Sequence, residues 1–256
     1  MNYYSLSGHG EQHVNKSIEM VLEEEEQFPN STIDAKRIVR TIESIKPVNV
    51  SKTLLDIECG YGFFSREAFR TDYDVTALEL ASNERQIAIE LASIDPIPVS
   101  FEDFPHDSKR FSVILMSQIL EHANDVNLWI SKADSLLING GVLVIALPNF
   151  QSIFRELLQE NEPYINPPAH LNFFSRRSLT ALLEKHGFTV EATQWVSRIP
   201  PKAFERRFSF LGKPGLVAIN TANTLALRIF DVLRLGMMVN VYAKKLSLDR
   251  AEPQIF

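Results

Sequence analysis

Cysteine is nearly absent. Cys59 is the only one in 256 residues, so the chain holds no internal disulfide and no cysteine-built zinc site. Long apolar runs are missing too: no stretch of about 18 uncharged apolar residues occurs, which argues against a membrane-spanning helix. Residues Met1 to Gly10 lack a basic stretch followed by an apolar one, so no signal peptide is read there, and a soluble cytoplasmic protein is expected. Internal repeats and low-complexity tracts are also lacking. The nearest is the run Glu23 to Glu26, read as a solvated helix end because adjacent helical positions point in different directions. Positive charge is scarce over most of the chain. Residues 1–197 carry 28 Asp and Glu against 16 Lys and Arg, which speaks against a general nucleic-acid binder. Residues 198–250 reverse the balance, with 10 Lys and Arg against 3 acids, and need a separate explanation.

What is present is an ordinary globular mixture, 45% apolar and 23% charged, which excludes a disordered or collagen-like chain. Two helices are expected first, over about Val14–Gln27 and from a cap at Ser31, with Asp34 at capping-box spacing, to the break at Pro47. The chain then alternates. Strands are expected at Thr53–Ile57, Asp74–Leu80, Pro98–Phe101, Phe111–Met116 and Gly141–Leu147. Helices lie between them at Phe64–Arg70, from Ser82 to Ser93, and from Val126 to Ile138, closed by Gly140. Such alternation builds βαβ units and a mainly parallel sheet covered on both faces. Further on, Ser175 caps a helix that Gly187 ends, Phe188–Val196 reads as a strand, Leu216–Leu235 as an apolar helix, and Met237–Ala243 as a last strand. Arg228, Asp231 and Arg234 form one narrow polar stripe on that helix, which predicts that most of its surface is buried.

The first strand runs into Asp56-Ile57-Glu58-Cys59-Gly60-Tyr61-Gly62. A glycine turn between strand and helix lets a ligand approach the backbone and aims N–H groups at it. A nicotinamide fingerprint would need glycine at Ser65, and a Tyr-x-x-x-Lys pair is also missing, so a nicotinamide or nucleotide-sugar enzyme is disfavoured. Glu79 ends the second strand, where an acidic residue grips a ribose diol; in the free protein it is expected to be solvated.

Leu54 to Phe64 resembles motif I of the class I S-adenosylmethionine-dependent methyltransferases. Phe111 to His122 is similar to that family's fourth-strand motif, and Leu136 to Ile145 to the helix-turn-strand after it. Pro167 to Ser175, with Leu179, Leu182, Leu183, Gly187 and Phe188, resembles a segment of the small-molecule branch that includes ubiquinone-type and glycan-cluster O-methyltransferases. The likeness covers about residues 50–195 in the family's order. It implies an α/β, Rossmann-like, seven-stranded and mostly parallel sheet with helices on both faces and the last strand antiparallel. One structural domain is expected, made of an N-terminal helical cap (1–48), the cofactor core (49–197), a basic and apolar insertion with a helix (198–236), and a final strand and tail (237–256).

The resemblance implies S-adenosylmethionine as cofactor. Asp56, Cys59, Gly60 and Gly62 would cradle its methionine part, Glu79 and Leu80 its ribose, and Ser117 and Gln118 the methionine side. The adenine would meet the Phe101 backbone N–H, with Glu102 or Asp103 accepting from its amino group; the family's usual acid is replaced by Ser100. The larger departure is Glu58, where the family pattern has glycine. A side chain there narrows the cofactor's amino-acid end, and a carboxylate repels the cofactor's own while attracting its amino group and sulfonium. That leaves open an alternative, a non-catalytic fold member that binds a partner.

Two side chains suit proton removal near the fourth-strand tip, His122 after Glu121 and His170 in the loop before the Ser175 helix. A metal on Glu121 and His122 would resemble what some quinone O-methyltransferases use, but no third ligand is visible nearby, so no metal site is assigned. Tyr3 and Tyr4 are candidates for a lid, although a frayed terminus is the plainer reading. The expected reaction is methyl transfer to an oxygen of a small molecule such as a sugar or polyketide-like acceptor, with N-methylation open. The region 198–235 is a candidate contact for an anionic acceptor, a membrane surface or a second copy of the chain.

Overall fold

The computed structural model describes residues 15–27, 29–47, 49–106, 110–159, 169–197 and 227–246, with Gly212 and Gly215 as single residues. The readings for Tyr3 and Tyr4, for Pro167 and Pro168, for most of the 198–226 insertion and for the tail lie outside these residues. The described elements are α1 (Ile18–Gln27), α2 (Asn30–Ile45), β1 (Thr53–Ile57), α3 (Phe63–Phe69), β2 (Asp74–Leu78), α4 (Ser82–Ala92), β3 (Phe111–Ser117), α5 (Val126–Leu136), β4 (Leu137–Pro148), α6 (Ile153–Leu158), α7 (Arg176–Lys185), β5 (Phe188–Val196) and β6 (Met238–Lys245).

The strands form one sheet in the order β2-β1-β3-β4-β6-β5. β1 pairs in parallel with β2 and β3, and β3 with β4, while β6 runs antiparallel to both β4 and β5. The reversed last strand is as expected, and six strands are described where seven were expected. The missing one is Pro98–Phe101. Pro96 and Pro98 carry no backbone donor, so the segment contributes only an isolated bridge between Ile97 and Leu78.

Strand alternation divides the core. Leu55, Ile57, Ile114, Met116, Leu143, Ile145, Val239 and Val241 face one side, packed with Trp129 and Ile130 of α5 and Leu179 and Leu183 of α7. Leu54, Val113, Leu115, Val142, Val144 and Tyr242 face the other, packed with Ile38, Val39 and Ile42 of α2 and Ala68 of α3. The period-2 pattern of each strand thus meets a period-3.6 stripe of each helix.

Several local readings need correction. Ser31 does not cap α2: Pro29 occupies that position without a side-chain bond, and Glu25 reaches across from α1 to accept from the Thr32 N–H at 2.6 Å. α5, capped by Asp125, hands directly to β4 at Leu137 rather than ending at Gly140. The extra residues are absorbed by a shift in the β3–β4 register, where Gly140 adopts φ +73°. The helix at 227–232 buries less of its apolar surface than expected. Asp231 of the polar stripe turns inward, accepting from Ser197 Oγ at 2.6 Å, while Ile229 and Val232 are 63% and 80% exposed. No helix of the described residues is long and apolar enough to cross a membrane.

Candidate functional site

The order places β1 between β2 and β3, so the chain crosses over at β1 and a crevice opens at the C-terminal ends of these strands. Glu58, Gly60 and Gly62 all adopt left-handed backbone, at φ +53°, +55° and +78°. Cys59 is pinned between them, its N–H donating to Leu78 O at 2.9 Å. Gly62 is the N-cap of α3 and packs tightly, since a Cβ there would stand 3.1 Å from Ala88 Cβ. A Cβ on Gly60 would meet nothing within 4 Å, so the turn faces open space.

Two carboxylates build this turn from below. Asp56 is fully buried and accepts from Ser65 Oγ at 2.6 Å, tying the end of β1 to the first turn of α3. Burial raises its carboxyl to about 7. Its role is therefore to hold the loop. Glu79 accepts from Gly60 N–H at 2.9 Å through one oxygen and from Ala81 N–H at 2.8 Å through the other. It is 8% exposed, not solvated as expected, and burial raises its pKa against the lowering pull of those two amides. Each oxygen keeps a second lone pair for a ribose hydroxyl. Leu80 follows half-buried, its carbonyl taken by Arg85.

The adenine side is also pre-bonded. Glu102 accepts from Trp129 Nε1 at 2.9 Å, and Asp103 accepts from Ser100 Oγ at 2.8 Å. Phe101 is wholly buried, edge-on to Trp129 at 5.2 Å, and Lys132 fixes the segment by donating to Glu102 O at 2.7 Å. Both acids considered for the adenine amino group thus have an internal partner.

At the tip of β3, Ser117 is half-buried. Gln118 is exposed at φ +59° and donates its N–H to Ala146 O at 2.7 Å. Beyond it lies a cluster whose assembly the sequence did not show. Glu121 is 2% exposed and neither carboxylate oxygen has a hydrogen-bond partner, so burial raises it to about 8. Its carbonyl accepts from Leu171 and Asn172 N–H groups at 2.9 Å each, and Asn172 Nδ2 donates to Ala123 O at 2.7 Å. These bonds fold the 169–173 loop over residues 121–123. The His122 and His170 rings consequently meet edge to face at 4.8 Å. His122 Nδ1 lies 2.8 Å from Ala169 O, a pure acceptor, so the proton sits on Nδ1. One ligand atom from each of Glu121, His122 and His170 lies within 4.8 Å of the others, so His170 is the third side chain that a cation would need. The pocket beside them is lined by Glu121, Pro148, Phe150, His170, Asn172 and Phe173, with the Phe150 and Phe173 rings 5.5 Å apart at its mouth.

Compared with known families, residues 31–193 match a model described as a methyltransferase domain. The chain belongs to the methyltransferase domain family. Among its relatives is a ubiquinone biosynthesis O-methyltransferase of Pelagibacter ubique, 31% identical over 110 residues, which are 41% of this chain and 45% of that protein. Another of the same name, from Bartonella tribocorum, is 26% identical over 151 residues, 51% of this chain and 61% of that protein. The matches span only about half the length of these relatives. A solved S-adenosylmethionine-dependent methyltransferase of Archaeoglobus fulgidus superimposes with a TM-score of 0.57 over 88% of this chain and 99% of that one, at 18% identity. A Synechocystis magnesium protoporphyrin IX methyltransferase with bound S-adenosylhomocysteine does so with 0.53 over 95% and 92%, at 12%. At such identities the structures speak for the fold.

The chain thus carries a methyltransferase domain on the class I fold of solved S-adenosylmethionine-dependent enzymes, one of them solved with that cofactor bound. The crevice fits that group. The open space at Gly60, the two-amide grip on Glu79 and the buried acids around the turn suit a ligand that brings hydroxyls and positive charge.

Proposed function

We propose that this methyltransferase methylates an oxygen of a small-molecule acceptor that docks where the β3 tip meets the 169–173 loop. The observation that carries the reading is the junction of Glu121, His122 and His170, of which Glu121 and His170 line the adjoining pocket. When bound, S-adenosylmethionine supplies a methyl group activated by the sulfonium. The chain's own residues position and deprotonate. Glu79 and the Gly60 turn hold the cofactor's ribose and methionine ends. His122 accepts the acceptor's hydroxyl proton, and an imidazolium formed there would favour loss of the proton from the neighbouring Glu121 carboxyl, whose oxygens have no hydrogen-bond partner. Phe150 and Phe173 offer flat apolar surface, which favours a ring-bearing acceptor, in line with the printed names of the ubiquinone-type relatives.

The test is a panel of hydroxylated acceptors, phenolic, sugar and polyketide-like, incubated with methyl-labelled S-adenosylmethionine and the wild-type and His122→Ala proteins. Phenolic turnover lost in the variant supports the reading. Turnover of amines alone refutes it.

A second reading rests on the same cluster, whose carboxylate and two imidazoles have the chemistry to hold a divalent cation against a deprotonated acceptor oxygen. Loss of turnover in EDTA, restored by magnesium or manganese, would favour it over His122 acting as base. The outward apolar stripe at Ile229, Val232 and Leu233 is assigned to a second copy of the chain or an anionic lipid surface, which light scattering and vesicle co-sedimentation separate.

A further inference from the structure

Glu58 follows the end of β1, where the crevice opens. β1 is flanked by β2 and β3, and the Ile57–Met116 register brings Glu58 out of the sheet beside Ser117. Its left-handed backbone, unusual for a residue with a side chain, departs from the strand at the turn that faces open space. Glu58 is half-buried, and carboxylates from three sides oppose its ionisation: Glu79 from the end of β2, Glu102 from the segment before β3, and Glu121 from beyond β3. Glu121 itself is almost wholly buried with both oxygens unpartnered. Such a convergence of acids is unfavourable when empty and favourable around positive charge.

We propose that Glu58 is the residue by which the site tells its cofactor from its spent product, favouring the cationic sulfonium of S-adenosylmethionine over the neutral thioether of S-adenosylhomocysteine. In the transfer the methyl carbon bonds to the acceptor oxygen and the carbon–sulfur bond breaks. Sulfur keeps the bonding pair and loses its charge. The attraction that recruited the cofactor then disappears, and the thioether is left among acids that gain nothing from it. This inference rests on the cofactor assignment and adds to it a charge-selection role for the one residue that departs from the family's turn. Burial and the neighbouring acids raise the Glu58 carboxyl to about 8, so the clearest measurement is made above that pH.

The experiment is calorimetric titration of the full chain with S-adenosylmethionine and with S-adenosylhomocysteine at about pH 8.5, for wild type, Glu58→Gln, Glu58→Asp and Glu58→Gly. Thermal melting confirms that each variant is folded. The wild type is expected to bind the sulfonium more tightly than the thioether. Glu58→Gln and Glu58→Gly should shrink that affinity ratio by about tenfold, the size of one opposite-charge contact near a protein surface. Glu58→Asp should retain a preference. Glu58→Gln leaving the ratio unchanged, or weakening both ligands alike, overturns the proposal. Wild type binding neither ligand overturns the cofactor assignment, a result visible before any variant is compared, and the proposal falls with it.

Discussion

Replacing Glu79 with alanine tests the cofactor site and the fold together. The carboxylate holds Gly60 and Ala81 N–H groups at 2.9 and 2.8 Å, joining the β1 turn to the start of α4. Each bond to a charged acceptor contributes about 1.5–3 kcal/mol. Removing both while water enters to solvate the freed amides, and relieving a carboxylate that burial disfavours, leaves a net loss of about 2–3 kcal/mol. For a chain of this size that lowers Tm by roughly 5–10 °C. Glu79→Gln keeps one acceptor oxygen but turns an NH2 toward the other amide, so it should lose about as much as one bond, roughly 1–2 kcal/mol. Both variants should bind S-adenosylmethionine about tenfold to a hundredfold more weakly. Urea unfolding without cofactor measures the first effect and calorimetry the second. A Glu79→Ala protein with the wild-type urea midpoint would refute the claim that this carboxylate holds the turn. An unaltered dissociation constant would remove Glu79 from the cofactor site.

Three further outcomes are expected. Ser65→Ala strips the 2.6 Å bond from buried Asp56 and should cost about 1–3 kcal/mol, read from the urea midpoint. Gly62→Ala puts a Cβ at φ +78° and 3.1 Å from Ala88 Cβ, and should cost at least about 1–2 kcal/mol by the same measurement. Stability should fall as pH rises from about 5 to about 8, followed by thermal melting in EDTA. Asp56 and Glu121 titrate near 7 and 8 when folded and near 4 when unfolded, so between those limits the folded state holds more protons and rising pH favours unfolding. The slope should be shallower in Glu121→Gln, and an unchanged slope would show that this carboxyl is not the source.

The parts legible in the sequence were those governed by neighbours along the chain. The glycine turn, the strand alternation and the Ser175 helix cap each depend on residues within a few positions, and the structure has them in place. What was missed depends on distance. Nothing local says that Glu79 will reach Gly60, 19 residues earlier, so it read as a solvated strand end. His122 and His170 were both singled out, but their meeting depends on the 169–173 loop folding onto the Glu121 carbonyl. The 98–101 strand failed for a reason present in the sequence, the two prolines flanking Ile97. The 227–232 helix misled because Asp231 of its polar stripe finds a partner inward at Ser197, while Ile229 and Val232 stay outside.

The place of β6 in the sheet sets an order on synthesis. β5 is made some 40 residues before β6 and pairs with no other strand, and β4 keeps one open edge until the same strand arrives. While residues 238–245 are still inside the ribosome, the nascent chain exposes two strand edges and the apolar surface that Val239, Val241 and Tyr242 will later cover. The β1–β3 half, whose turn and strands come first, can form before that. β6 then slots between two waiting partners, so the emergence of residues 238–245 closes the sheet and seals an aggregation-prone edge.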